Sequence, residues 1–385
     1  MAAVNEGLLG DTWNACTIIP HKAHETEEET LDIAWWTNAI CLPIIAFLGI
    51  SCNLVNVFVL TYNPSSKRIP SRKLLLTLAI CDCLFLFFAV LEITPMSIRS
   101  LLSSPVINEI YTKLVLYIRT FASTFYKSSV LLVVAFNFER FMNVCYPLAV
   151  KPPGISTNKT IIFCIIFSFF FSLQWPLAYK VNDCYDHSGN HSYFVISITQ
   201  IAPLQFYYKI MDYSALFLFN IVPIVALLIL NIRIIWTIRN MINKDLRQQQ
   251  QISPSAQSAR LLNSGQNYQS NKHRNANAIL FSVVGMLFIC VAPQAPARLL
   301  YEYLGHYNTF AVKYTCISQL LVFLNASLNF LLYCLVSKRY RSLLKESFRM
   351  LMKSHRDLMS SSAATLQMKT RTSSLHAPST EDHLI

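Results

Sequence analysis

The chain has 385 residues, 54% of them hydrophobic and only 14% charged, with 8 Gly, a formal net charge of +12 and a mean hydropathy of +0.40. A soluble domain carries charge on roughly a quarter of its residues, and a disordered chain lacks apolar surface on this scale, so both classes are excluded. The positive balance does not point to nucleic acid, because Lys and Arg fall between long apolar runs instead of lining a polar, aromatic-studded groove.

In chain order, residues 1–33 form a polar segment with an acidic run at Glu25 and Glu27 to Glu29. It lacks the basic start and apolar core of a secretory leader, so the first apolar stretch is expected to serve as its own signal anchor. A helix that crosses a bilayer needs about 20 mainly apolar residues. Stretches of that length without Asp, Glu, Lys or Arg run over 33–66, 160–179, 213–232, 275–297 and 314–337. Two more are interrupted, 74–91 by Asp82 and 114–138 by Arg119 and Lys127. The expected fold is an all-α membrane protein, a seven-helix bundle over 34–336.

Lys and Arg concentrate in the connections after spans one, three and five and beyond Val336, which puts those connections in the cytoplasm and the N-terminus outside. The sequon Asn190-His191-Ser192 then lies in the second outer loop and is the expected glycosylation site, whereas Asn158 falls inside and Asn325 within a span. The third inner connection, with Gln248 to Gln251 and many Ser and Asn, reads as disordered. Residues 337–353 place Tyr340, Leu343, Leu344, Phe348 and Leu351 at helical spacing among basic residues, the pattern of an amphipathic helix on the inner leaflet. A disordered tail, 354–385, follows, rich in Ser and Thr. Of the 11 Cys, Cys52, Cys81, Cys83, Cys164, Cys290 and Cys334 lie inside apolar runs as small hydrophobes.

Polar residues inside the spans carry the functional signal. Asp82 is a carboxylate at mid-bilayer depth and needs partners, for which Asn53, Ser129, Asn325 and Asn329 are the candidates. With Asp82 the one deep charge on the inner side and so few Gly, the broken helices and charged path of a transporter are not expected.

Taken together, these residues resemble a rhodopsin-like (class A) G-protein-coupled receptor. The resemblance rests on Asn53 in span one, Leu78 to Asp82 in span two, Glu139-Arg140-Phe141 followed by Pro147-Leu148 after span three, Pro223 in span five, Cys290-Val291-Ala292-Pro293 in span six and Asn329-Phe330-Leu331-Leu332-Tyr333 in span seven. Within that class, Phe330 in place of the usual Pro, Leu230-Asn231 in span five and the absence of Trp from Cys290 to Gln294 look like invertebrate FMRFamide-type neuropeptide receptors. The chain departs from the class in having Val115 where a Cys usually begins the bridge to the second outer loop, so Cys184 would pair with Cys16 or Cys316 or stay free. Ala122 stands where amine receptors carry an Asp, which argues against an amine ligand.

The resemblance implies a receptor at the plasma membrane, embedded in the lipid bilayer, that binds an extracellular peptide and activates a heterotrimeric G-protein, with no catalytic residue. A receptor of the same fold for a small environmental molecule is the alternative. Glu139 and Arg140 would form the resting pair at the inner end of span three, Pro293 the pivot of span six, and Arg140, Leu148, Asn329 and Tyr333 the coupling machinery. The ligand would meet Glu92, Arg119, Lys127, Gln174, Gln294, Arg298, Glu302 and Gln319 in the outer third of the bundle. Glu92 or Glu302 would pair with a peptide Arg, Gln294 or Gln319 with its C-terminal amide, and Phe121 and Phe125 with its aromatic ring. The competing arrangement neutralises these charges internally, Glu92 with Arg119 or Lys127 and Glu302 with Arg298. Asp82, Ser129, Asn325 and Asn329 would hold a sodium ion, the one cofactor implied, or alternatively a water-filled polar network. The Ser and Thr of the tail would be substrates of a receptor kinase and, once phosphorylated, would bind arrestin.

Overall fold

The structure, a computed structural model, describes residues 32–69, 71–98, 104–146, 156–185, 192–252, 285–286, 288–304, 308–336 and 340–354, and the single residues 102, 356 and 359. Six of its helices are long and apolar enough to cross a membrane: Asp32–Tyr62, Arg72–Ser97, Pro105–Cys145, Thr157–Ala178, Ala202–Met241 and Thr309–Leu331. They are spans one to five and span seven. Span six is described from residue 285 onward, and its outer part is the helix Gln294–Leu304.

The third helix is the longest of these, 41 residues against the 25-residue stretch read from the sequence. At about 1.5 Å per residue it exceeds the roughly 30 Å hydrocarbon core, so it continues into the interfacial layer where charges are tolerated. There Glu109 and Lys113 pair one turn apart at 2.5 Å. The charge-free criterion cut the helix short because it measures hydrocarbon depth and not helix length.

Four spans are locally irregular. Span one opens with a π-helical turn, Trp36–Cys41, before its α-helix Leu42–Tyr62. Span four is interrupted by a turn at 171–173 between Thr157–Phe170 and Gln174–Ala178. Span five carries a π-helical turn, Phe217–Ile221, between Ala202–Leu216 and Val222–Ile252. In span six the helix is broken at Ala292 and Pro293, where the proline disfavours helical geometry in the residue before it and supplies no N–H.

Spans four and five are joined by an antiparallel hairpin, β1 (Tyr179–Tyr185) and β2 (Ser192–Ile198), in register Val181 to Ile196 and Tyr179 to Ile198. The sequence reading expects only an outer loop here, and the two strands are an addition to the all-α expectation. Leu116, Ala178, Tyr179 and Tyr208 form a small core beneath it. This is the hairpin end of the bundle, and the other is the Arg140 end.

Two larger cores hold the spans. Leu42, Ala46, Phe85, Leu86, Ala122, Val322 and Phe323 fill the hairpin half, and Leu74, Leu78, Leu132, Val133, Phe136, Leu227 and Val291 the Arg140 half. Phe47, Phe163, Phe206 and Trp236 instead face outward, more than half exposed. Such a belt is a liability in water and the normal lining against lipid. At the Arg140 end the helix 340–354 folds back on span one: Tyr340 and Leu343 bury against Val59, and Tyr340 donates to Asn56 at 2.8 Å. Asn63 donates to the Leu343 carbonyl, Glu346 and Ser347, at 3.2 to 3.3 Å.

Spans one and seven approach closely at Gly49, where a Cβ would strike Ser327 and come within 2.7 Å of a Leu86 methyl. Small residues permit this kind of approach in a membrane. Gly49→Val is therefore expected to destabilise the bundle by about 1–3 kcal/mol, the usual range for overpacking. The check is thermal unfolding of detergent-purified protein, in which Gly49→Ala should lose less than Gly49→Val and should regain stability when combined with Ser327→Gly.

Candidate functional site

The carboxylate of Asp82 lies fully buried at the centre of the bundle. Ser129 donates to its Oδ1 at 2.5 Å from span three, and Asn329 to its Oδ2 at 2.6 Å from span seven. Of the partners expected from the sequence, Asn53 does something different: its amide donates to the carbonyls of Gly49 and Ala326 at 3.0 and 2.9 Å, which fastens span one to span seven. Its Oδ1 is buried without a partner among the described residues. Asn325 is 9% exposed on the same helix as Asn329. A carboxylate, a hydroxyl and a spare amide oxygen are hard donors of the kind a small cation or a buried water takes.

At the hairpin end, two charge clusters form. In the first, Arg119 of span three donates through Nε to Glu92 of span two at 2.7 Å. The guanidinium also lies 4.8 Å from the Trp175 ring centre in span four, a cation–π distance. Tyr111 donates to the Glu92 backbone carbonyl. This cluster joins spans two, three and four.

In the second, consecutive residues of span five meet two residues of span six that are one turn apart. Arg298 donates to one oxygen of Asp212 through Nε at 3.0 Å and Nη2 at 2.8 Å, and Tyr213 donates to Glu302 at 2.5 Å. Among the described residues Arg298 thus pairs with Asp212, where Glu302 is the expected internal partner. Asp212 escaped the sequence reading because it sits one residue ahead of the charge-free stretch that began at Tyr213.

Lys127 does not share this mouth. Its side chain is 6% exposed and reaches toward span four, donating to the Phe171 carbonyl at 2.9 Å and to Ser172 at 3.2 Å. The Phe171 carbonyl belongs to the turn that interrupts span four, so the ammonium satisfies an acceptor that the broken helix leaves over, at a C-terminal end whose dipole favours positive charge. Depth was readable from the sequence; the direction of the side chain around the helix was not. Gln174 is likewise 2% exposed within span four. Gln294 accepts from Tyr126 at 2.6 Å, and Gln319 is half-buried on span seven. Phe88 lies between Phe121 and Phe125 with stacked rings at 5.4 and 5.9 Å, an aromatic wall between spans two and three.

At the Arg140 end, the Arg140 guanidinium lies 4.5 Å from the Phe136 ring centre, one turn back on span three. Pro293 occupies the break in span six. Cys16, Leu148 and Asn190 lie outside the described residues, and Cys184 and Tyr333 are described by backbone alone, in β1 and in the last turn of span seven. Cys316, one of the two expected partners of Cys184, is a free, buried thiol.

A buried acid shared between spans two, three and seven, an Arg at the far end of span three and a proline break in span six make up a receptor bundle. The chain belongs to the 7 transmembrane receptor (rhodopsin family), which it matches over residues 52–333. It is 24% identical over 352 residues, 86% of this chain and 76% of the other, to a Caenorhabditis elegans protein named "Putative G-protein coupled receptor F59B2.13". It is accordingly a multi-pass membrane receptor of the G-protein-coupled class and not an enzyme.

Lys127→Met keeps the bulk of the side chain but leaves the Phe171 carbonyl without its charged donor. Stability should fall by about 1–3 kcal/mol, the cost of a buried acceptor left unsatisfied. Thermal unfolding of purified protein reads this effect, and ligand potency per surface receptor should stay within about threefold of wild type, below the effect of losing one neutral hydrogen bond.

Proposed function

We propose that the ligand is a cationic extracellular peptide with an aromatic, amidated C-terminus, of the Arg-Phe-amide kind, received at the hairpin end. The observation that carries this reading is the ladder between spans five and six. It holds two carboxylates, Asp212 and Glu302, and one guanidinium, Arg298. The Glu302 carboxylate is exposed and is bonded by Tyr213, a phenol that brings no positive charge. A peptide guanidinium supplies that charge and can bind the acid bidentately. Glu92 is the weaker candidate because Arg119 already occupies it. Phe88, Phe121 and Phe125 offer the surface for an aromatic side chain, and Gln319 an amide for the peptide's own.

At the Arg140 end, which the positive charge of the connecting loops places in the cytoplasm, the C-terminal helix of a G-protein α-subunit would insert beside Arg140 and Tyr333 as span six swings about Pro293. Leu148 would pack on the G-protein, and phosphorylated Ser and Thr of the tail would recruit arrestin. Asp82, Ser129, Asn325 and Asn329 would bind sodium in the resting state.

The ligand reading is tested by second-messenger release in cells expressing the receptor with a promiscuous α-subunit, challenged with amidated Arg-Phe peptides. A response should appear, and Glu302→Gln should weaken peptide potency more than tenfold at equal surface expression, the scale of a charge-assisted hydrogen bond. Silence across the peptides in well-expressed cells would favour a small environmental ligand. The sodium reading needs no ligand: NaCl should raise the melting temperature of purified receptor above equimolar choline chloride through binding to the folded state. Asp82→Asn should abolish that difference, and a retained difference would remove the proposal.

A further inference from the structure

Span six lacks an aromatic residue between Cys290 and Gln294. Beside the core packing of Val291, the hydrogen bond that reaches it at the break comes from Tyr126 of span three. The Tyr126 hydroxyl donates to Gln294 Oε1 at 2.6 Å, directly after Pro293, and lies 3.3 Å from Asn220 Oδ1 in the π-helical turn of span five. Its ring lies 5.4 Å from that of Phe85 in span two, which stacks on Phe323 of span seven at 5.2 Å with the planes 1° apart. One side chain thus ties span three to spans two, five and six, and through Phe85 to span seven.

We infer that Tyr126 is a positioning residue for signalling, holding span six in the resting arrangement through Gln294. The inference rests on the G-protein coupling of the receptor and not on the identity of its ligand. Three features support it. The bond falls on the first residue beyond the break, where a small change in angle displaces the far end of span six the most. Its second neighbour is in another irregular turn, and π-turns recur at functional positions because an extra residue frees a carbonyl and redirects the helix. Both neighbours are carboxamides, which form alternative hydrogen bonds when the helix turns, so the contact can be exchanged without leaving a buried group unsatisfied.

The resting arrangement loses one neutral hydrogen bond in Tyr126→Phe, which shifts a two-state equilibrium by about two- to tenfold. The experiment is ligand-free second-messenger production in cells expressing full-length receptor, normalised to receptor at the surface. Tyr126→Phe and Gln294→Asn should each raise basal signalling by that factor. The double variant should exceed the larger single effect by less than the product of the two, because both remove the same bond. A residue that merely packs would lower surface expression and leave signalling per receptor unchanged, and that result, or a fully multiplicative double variant, overturns the inference. If Tyr126→Phe fails to reach the surface, Gln294→Asn, which leaves the aromatic ring in place, decides alone: raised basal signalling supports the inference and unchanged signalling overturns it. A silent peptide panel would leave this outcome untouched, so the two proposals fail separately.

Discussion

Hydrocarbon offers a polar group no water, and it offers two helices no hydrophobic reason to associate. A side chain that can hydrogen-bond must find its partner on another span or on its own backbone, and the few that reach across decide how the helices sit. In this receptor Asp82 draws Ser129 and Asn329 to itself, so spans two, three and seven meet at one carboxylate. Asn53 reaches the Ala326 carbonyl, and Gly49 lets the same two helices approach until Ser327 fills the gap. The apolar cores pack around these points.

Span three gathers most of these contacts. Arg119, Tyr126 and Ser129 recur at spacings of seven and three, close to whole turns of an α-helix, and bond to span two, to spans five and six, and to span two again. Lys127 is rotated about 100° from Tyr126 by the helix geometry and turns instead to span four, near the Phe219 ring of span five at 5.6 Å. Two neighbouring residues therefore brace different sides of the bundle. The charged pairs at the hairpin end extend the arrangement outward, Glu92 with Arg119 on one side of the mouth and Asp212 with Arg298 on the other.

The sequence disclosed which spans exist and which polar groups lie at depth, because apolar length and isolated charge are properties of a stretch. Partner choice is a property of rotation and of neighbouring helices, and there the reading was incomplete. Asn53, one of four candidate partners of Asp82, bonds Ala326; Arg298, for which Glu302 is the alternative internal partner, pairs with Asp212; Lys127, expected in the mouth, is folded against span four. Tyr126 drew no attention because one tyrosine among 18 in an aromatic-rich chain carries no signal until its hydroxyl is seen to meet two amides. The family motifs did not help with these positions, since none of the four belongs to a motif except Asn53, whose presence was predicted and whose bond was not.

The irregular turns and the polar braces occur together, and the reason is chemical. A break in a transmembrane helix strands backbone carbonyls in a medium that cannot solvate them, so it survives only where another group supplies the missing donor. At the interruption of span four that donor is Lys127; at the break of span six the helical bonding resumes with the Ala297 amide on the Pro293 carbonyl at 3.1 Å, and Tyr126 bonds the side chain of the adjacent Gln294. A regular helix with a full ladder of bonds resists bending along its whole length, whereas a helix broken at one braced point bends there. On the activation reading proposed above, bending would concentrate at such breaks, and in span six the break lies between the mouth that would receive a ligand and the Arg140 end that would meet a G-protein.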